Sequence, residues 1–327
     1  MPWRDAERAQ PDSWYGVSEA QLERELDLLP HLGLSLIRFE LPWVLIAPGR
    51  PGVHSYDAAA ARDHEWSGYR WQRTDRVIAG CLQRRLRPVP QVVFSPPWAA
   101  DGGPNQPPSD PSCFGDFIRA AAERYRGKVD YWEVWNEPNL RRYWDGTLAA
   151  YASGVLNAAM DALRDLQPRP MVVLGGLAGS DGLPTILSTA GASFDIASFH
   201  YYPPRTWPSL RVNVKGAVKK IRGDLQRAGR SDVPAWLTEV GATARRAQPR
   251  DDMPVVGPRG QLRLLQQAVN GSGADAVFWY TLRDHLIYSG EAMVKRVYWG
   301  LFDMELRPRP AARWLAGLAQ DRRPEIT

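Results

Sequence analysis

Strand-like and helix-like patterns alternate along almost the whole chain, and this alternation limits the fold more than any other feature of the sequence. Short apolar runs typical of buried strands are separated by longer segments in which apolar residues recur at helical spacing. The strands are predicted at residues 34–41, 88–94, 129–135, 171–175, 194–199, 234–239 and 274–280. The helices are predicted at residues 19–31, 73–86, 114–126, 147–166, 182–190, 211–228, 259–270 and 309–319. This order predicts an α/β protein with a parallel sheet and right-handed crossover connections.

Seven strands are one short of a closed (β/α)8 barrel (a TIM barrel), so we expect an eighth strand before the first helix. Residues 14–17 are the candidate, and we expect this first strand to be short or irregular. A doubly wound open sheet is the alternative, but Gly175-Gly176 lacks the spacing of a dinucleotide-binding motif. We therefore predict a single (β/α)8 catalytic domain over residues 1–327, with no cofactor.

The longest connections follow the ends of strands and are rich in Pro, Gly and Trp. They cover residues 42–71, 95–112, 136–146, 200–210, 240–258 and 281–306. In a (β/α)8 barrel such loops meet at the C-terminal face, where active sites are built. We therefore expect the functional residues at the carboxyl ends of the strands.

Charge and composition exclude several classes of partner. The net charge is +5, but the 36 arginines and five lysines are scattered among acidic residues, so no nucleic-acid-binding stripe is predicted. No run of 18 apolar residues exists, so no membrane association is expected. The first residues lack the apolar core of a secretory signal, which predicts a cytoplasmic protein, or a secreted one if the natural N-terminus has been trimmed. Cys81 and Cys113 are too few for a zinc site and are expected to be reduced thiols.

Two glutamates are predicted at the carboxyl ends of strands. The run YWEVWNEPNL carries Glu137 at the end of one strand, where Pro138 has no N–H to continue the ladder. The run WLTEVG carries Glu239 at the end of another. Two such carboxylates suit glycoside hydrolysis, which needs a proton donor and a nucleophile or base around the anomeric carbon. Strand-end glutamates also form purely structural salt bridges, which is the alternative reading.

The sequence resembles the retaining (β/α)8 glycoside hydrolases of clan A. The resemblance rests on Asn-Glu-Pro at one strand end and Thr-Glu-x-Gly three strands later, with two predicted strands between them. The run RYRGKVDYWEVWNEPNL, followed by Tyr151 and Gly175-Gly176, is most similar to glycoside hydrolase family 39. The Val-Gly that follows Glu239 is closer to family 5.

The resemblance implies a role for each glutamate and for its neighbours. Glu137 would be the acid/base and Glu239 the nucleophile, kept ionised by Arg38 and oriented by Tyr202. Asn136 would bind the sugar 2-hydroxyl. The remaining predicted substrate-binding residues are His200, Trp279 as the floor of the sugar site, and Trp43 and Trp98, which are either sugar platforms or loop packing.

We therefore expect an enzyme that cleaves a β-linked glycoside or oligosaccharide with retention of configuration, without a metal. The two carboxyl groups should lie about 5–5.5 Å apart, the spacing of a retaining pair. Two alternatives remain: a non-catalytic carbohydrate-binding barrel, and a transglycosidase that uses the same covalent intermediate.

Overall fold

Seven parallel strands form one sheet in chain order, and each of the first six pairs with the strand that follows it. The computed structural model describes residues 18–52, 54–203, 213–245, 255–289 and 292–321. The parallel strands are β1 Leu36–Pro42, β2 Arg87–Val93, β3 Tyr131–Asn136, β4 Met171–Ala178, β5 Ala197–Tyr201, β6 Ala235–Val240 and β7 Ala276–Trp279. Every predicted strand from residue 34 onward is therefore present, with its bounds shifted by a few residues.

The sheet curls until side chains from distant strands touch one another. Val89, Val173, Ile196, Trp236 and Phe278 come from β2, β4, the approach to β5, β6 and β7, yet they form one buried cluster. Strands that are not neighbours can share such a cluster only if their inward faces meet, as in a barrel. This apolar layer fills the interior below the carboxyl ends of the strands.

Helices connect the strands and cover the outside of the sheet. They are α1 Glu19–His31, α2 Trp43–Ile46, α3 Ala58–Arg62, α4 Gln72–Gln83, α5 Ser112–Arg124, α6 Leu148–Tyr151, α7 Asn157–Leu163, α8 Leu183–Ser188, α9 Val214–Arg227, α10 Gly257–Gly271 and α11 Pro310–Asp321. A π-helical turn at Ala152–Leu156 joins α6 to α7, so the long helix predicted there is interrupted. Helix α5 buries Phe114 and Phe117 in the largest core cluster, together with Trp132 from β3. The amphipathic spacing read from the sequence therefore corresponds to real outer-layer packing.

The two edge strands, β1 and β7, lie near each other. The seam beside them is covered by α1, because Arg283 Nε, just after β7, lies 2.5 Å from Glu25 Oε1. Leu282 packs against the cluster that contains Leu26 and Leu29 of the same helix. The first strand predicted at residues 14–17 lies outside the described residues. The predicted fold class is confirmed, since the described chain is an α/β barrel of the TIM type.

The sequence analysis missed the short helices α2 and α3, which lie within the predicted loop 42–71, and one hairpin. The connection predicted as a loop over residues 281–306 contains an antiparallel hairpin of β8 His285–Ser289 and β9 Ala292–Val297.

Among the described helices, none combines the length and apolar character needed to cross a membrane.

Candidate active site

The carboxyl ends of the strands bring two carboxylates and an imidazole together. Glu137 directly follows β3, Glu239 lies near the end of β6, and His200 lies near the end of β5. One oxygen of each carboxylate and a ring nitrogen of His200 all lie within 4.8 Å of one another. Retaining glycosidases place their two carboxyl groups about 5–5.5 Å apart, and inverting enzymes about 6.5–9.5 Å apart. The approach of single oxygens within 4.8 Å is compatible with the shorter of these separations.

Glu239 is held as a carboxylate by hydrogen-bond donors on both oxygens. Arg38 Nη1 donates to Oε1 at 2.7 Å, and the Tyr202 hydroxyl donates to Oε2 at 2.5 Å. Burial alone would raise the pKa of Glu239. The charge of His200 when it is protonated, the charge of Arg38 and the hydrogen bonds from Tyr202 and Arg38 outweigh burial, so the pKa lies below its ordinary value. Glu239 is therefore suited to act as an ionised nucleophile.

Glu137 has a different environment. His200 Nδ1 lies 2.9 Å from its Oε1, and Arg142 Nη2 donates to its Oε2 at 3.0 Å. The side chain of Glu137 is almost fully buried, whereas that of Arg142 is 67% exposed. The backbone of Glu137 has φ 42°, in the left-handed region that a residue with a side chain seldom adopts. Such strain is concentrated at functional sites, because the surrounding structure has to maintain it.

Arg38 is fixed by a second, fully buried carboxylate. Its Nε and Nη2 donate to the two oxygens of Glu133 at 2.5 and 3.1 Å. Nη2 also donates to Oδ1 of Asn136 at 3.2 Å. Burial alone would lower the pKa of Arg38, but Glu133 and Glu239 raise it well above its ordinary value. Because both ends of the guanidinium are paired, its position beside Glu239 is set by the barrel interior.

His200 fits between the glutamates because residue 176 has no side chain. A Cβ built on Gly176 would lie 2.1 Å from His200 Nε2 and 2.7 Å from its Cδ2. The backbone N–H of Gly176 also donates to Glu133 at 3.0 Å. Gly176 therefore gives His200 and Glu133 room to occupy the same interior layer.

The structure brings together most of the predicted site residues, but not the three tryptophans. Arg38, Asn136, His200 and Tyr202 surround the two carboxylates. Their roles in catalysis stay predictions, because geometry alone does not establish them.

For Trp43 and Trp98 the structure supports loop packing, one of the two alternatives left by the sequence, whereas the predicted role of Trp279 as the floor of the sugar site is corrected. Trp43 is fully buried and packs in the largest core cluster. Trp98 packs edge-on against Trp43 and donates from its indole N–H to the carbonyl of Ala47, so it belongs to the same loop packing.

Trp279 belongs to the outward face of β7. On that strand Ala276 and Phe278 pack in the interior cluster, so the alternation of side chains directs Trp279 outward. It packs against the clusters that include α10 and α11. The next residue, Tyr280, is the one that borders the site: burial raises the pKa of its hydroxyl, and the charge of Glu239 raises it further.

Three other residues at the site were missed by the sequence analysis. Trp299 has its ring centroid 6.5 Å from Tyr202 and 5.3 Å from Tyr280, which places a partly exposed aromatic ring beside the tyrosine that contacts Glu239. Arg142 comes from an irregular loop and carried no pattern. Glu133 shares a strand face with Glu137, and this period-two relation was the available signal.

The loop that carries Trp299 is anchored by a buried ion pair. Arg309 contacts both carboxylate oxygens of Asp284, at 2.7 and 2.6 Å. The backbone N–H of Gly300 donates to Asp284 at 2.9 Å. Because Gly300 directly follows Trp299, this pair holds the aromatic face in place.

Among the described residues, Glu137, His200 and Glu239 form the one group with the donor types of a metal site. The same carboxylates already receive N–H groups from Arg142 and Arg38. A cation placed between them would meet two positive charges at close range, which disfavours metal binding. The three side chains form a carboxylate pair with a bridging histidine.

The fold of this chain is shared with (β/α)8 glycoside hydrolases of known structure. Similar solved structures are a family 39 glycoside hydrolase from Xanthomonas axonopodis pv. citri (TM-score 0.68, 20% identity, 95% of this chain and 67% of that chain) and a family 39 β-xylosidase from Caulobacter crescentus (TM-score 0.69, 22% identity, 93% and 67%).

Sequence comparison gives a matching result. The chain is 27% identical over 206 residues to a β-xylosidase of Caldicellulosiruptor saccharolyticus, which covers 55% of this chain and 42% of that protein. The chain spans less than half the length of the curated relatives it matches. No protein-family model matches the chain. The predicted resemblance to clan A, and to family 39 within it, is confirmed.

Proposed function

We propose that this chain hydrolyses a β-linked glycoside with retention of configuration, with Glu239 as nucleophile and Glu137 as acid/base. The observation that carries the proposal is the close approach of the two carboxylates at the carboxyl ends of β3 and β6, with donors to both oxygens of Glu239. The fold shared with glycoside hydrolases supports it.

The reaction has two steps. In the first, an oxygen of Glu239 forms a bond to the anomeric carbon while the bond to the leaving oxygen breaks, and Glu137 gives its proton to that oxygen. In the second, Glu137 takes a proton from water, the water oxygen bonds to the anomeric carbon, and the ester to Glu239 breaks. Glu137 loses its proton in the first step and regains one in the second, so the enzyme is regenerated.

The neighbours support this division of roles. Arg38 and Tyr202 stabilise the ionised form of Glu239, as a nucleophile requires. Asn136 receives N–H groups on Oδ1 from Gln91 at 2.9 Å and from Arg38 at 3.2 Å. This fixes the orientation of its amide and leaves the NH2 group to donate to a sugar hydroxyl.

The alternatives differ in what happens after binding. A carbohydrate-binding barrel would not need a strained, buried Glu137 beside an ionised Glu239, so the geometry favours turnover. A transglycosidase would form the same intermediate and pass the sugar to another hydroxyl in place of water. Product analysis in the presence of an added alcohol distinguishes a transglycosidase from a hydrolase.

A panel of aryl β-glycosides tests the function, and it begins with the xyloside because relatives are named β-xylosidases. Glu239→Ala should abolish turnover of every substrate, and azide should restore it with inverted configuration. Glu137→Ala should still form the intermediate from a dinitrophenyl glycoside, and azide should then give a product of retained configuration. If both variants respond alike to azide and to leaving group, the assignment of roles is wrong. If the wild-type chain cleaves no glycoside of the panel, the proposed function is wrong.

A further inference from the structure

Arg142 covers the solvent side of the proposed acid/base. Its Nη2 lies 3.0 Å from Glu137 Oε2, and its guanidinium carbon lies 4.7 Å from the centroid of the Tyr143 ring. The side chain is 67% exposed, whereas that of Glu137 is 6% exposed. The guanidinium is therefore the last group between Glu137 and solvent on this side.

This ion pair conflicts with proton donation. Glu137 Oε1 faces His200 Nδ1 at 2.9 Å, and Oε2 receives the N–H of Arg142. A guanidinium has donors only, so a proton on Oε2 directed toward Arg142 would find no acceptor. Glu137 can present a proton on Oε2 only when Arg142 turns away, and its exposed side chain is free to do so.

The leaving group of the substrate would occupy the same side of Glu137. Arg38, Tyr202 and His200 enclose the carboxylates from the interior. A glycoside whose oxygen is protonated by Glu137 therefore has to place its leaving group toward Arg142.

We propose that Arg142 is a specificity-determining residue, which selects glycosides whose leaving group carries a carboxylate. The inference rests on the proposed function. Arg142 exchanges its ion pair with Glu137 for one with the substrate carboxylate, and Glu137 then takes from solvent the proton that it donates to the leaving oxygen. A neutral leaving group offers no such exchange and leaves Glu137 paired.

The neighbouring arginine provides a matched control. Arg141 is 88% exposed and pairs with Asp145, at 2.9 Å from Nε and 2.6 Å from Nη2. It has the same charge and the same loop, but its partner is outside the site. Substitution of Arg141 changes the charge of the loop without releasing Glu137.

The test compares 4-carboxyphenyl and 4-carbamoylphenyl β-glycosides of the sugar that the panel favours. The ratio of their kcat/KM values should fall about fivefold in Arg142→Gln, the effect of an exposed ion pair worth about 1 kcal/mol. Arg141→Gln should keep the wild-type ratio, and Arg142→Lys should keep most of it. A purely structural residue would lower kcat/KM for both substrates alike and leave their ratio unchanged.

A dinitrophenyl glycoside of the same sugar separates the two possible failures. This substrate needs no proton donor for its first step, so the wild type and the Arg141→Gln control should cleave it at similar rates. If they do, and the ratio is the same in Arg142→Gln as in the wild type, the role of Arg142 is refuted and the proposed function stands. If no protein cleaves even this substrate, both proposals fail.

Discussion

Removal of the Tyr202 hydroxyl should make the nucleophile harder to ionise. In Tyr202→Phe a single oxygen is lost, the one that donates to Glu239 Oε2 at 2.5 Å. A hydrogen bond to a charged group contributes about 1.5–3 kcal/mol, and about 1.4 kcal/mol corresponds to one pH unit of pKa. The pKa of Glu239 should therefore rise by about 1 to 2 pH units. Because only the carboxylate attacks, the acid limb of the kcat/KM profile should move upward by the same amount.

The measurement is kcat/KM for an aryl glycoside between about pH 3 and 8, in wild type and variant. In the wild type, the acid limb set by Glu239 should lie below pH 4.5, the ordinary value for a glutamate, since its pKa is lowered. Tyr201→Phe is the control, because the Tyr201 hydroxyl accepts a hydrogen bond from the backbone N–H of Asn213 at 2.9 Å and does not face Glu239. An acid limb that stays in place in Tyr202→Phe, or moves equally in both variants, would refute this account of how Glu239 is kept ionised.

Two further predictions concern the aromatic residues and the stability of the fold. Trp43→Ala should lower the free energy of unfolding by about 3–5 kcal/mol in urea denaturation, since Trp43 is fully buried. Trp299→Ala should mainly raise KM. The reverse pattern would contradict the assignment of Trp43 to the core. Burial lowers the pKa of His285 to about 4 from 6.5, so the unfolded chain binds more protons between these values and stability falls as pH falls. From pH 7 to pH 5, protonation of His285 in the unfolded chain should lower the free energy of unfolding by about 2 kcal/mol. The His285→Gln variant should lose less stability than the wild type over that interval. Equal losses would show that His285 is not responsible.

The sequence was most informative where two independent patterns agreed. The strand that ends at Glu137 is defined by apolar residues and by Pro138, which cannot continue the ladder. The repeated order of strands and helices then requires Glu137 and Glu239 to share one face of the barrel. The places of Arg38, His200 and Tyr202 beside the two glutamates were implied by the resemblance to clan A, which needs no knowledge of any loop.

The errors occurred where one pattern had to decide alone. Strand β7 reads Ala-Val-Phe-Trp, which has no alternation of polar and apolar residues, so the sequence does not show which face Trp279 occupies. Neighbouring residues of a strand point to opposite faces of the sheet, so Tyr280 borders the site in place of Trp279. Trp43 follows β1 directly and was expected in a loop, but the short helix α2 turns it into the core. Arg142 depends on the path of a loop, which local sequence does not determine.

The close fit at Gly176 also has an evolutionary consequence. Glycine and alanine codons differ by one base, and the methyl group of alanine would occupy the place of the His200 ring. Such a change leaves both carboxylates in the sequence while it displaces the ring that lies between them. A descendant of this chain could therefore lose the proposed turnover and keep both carboxylates, so that an intact Asn-Glu-Pro run would not distinguish an enzyme from an inactive relative. In sequences related to this one, residue 176 is the position to inspect first.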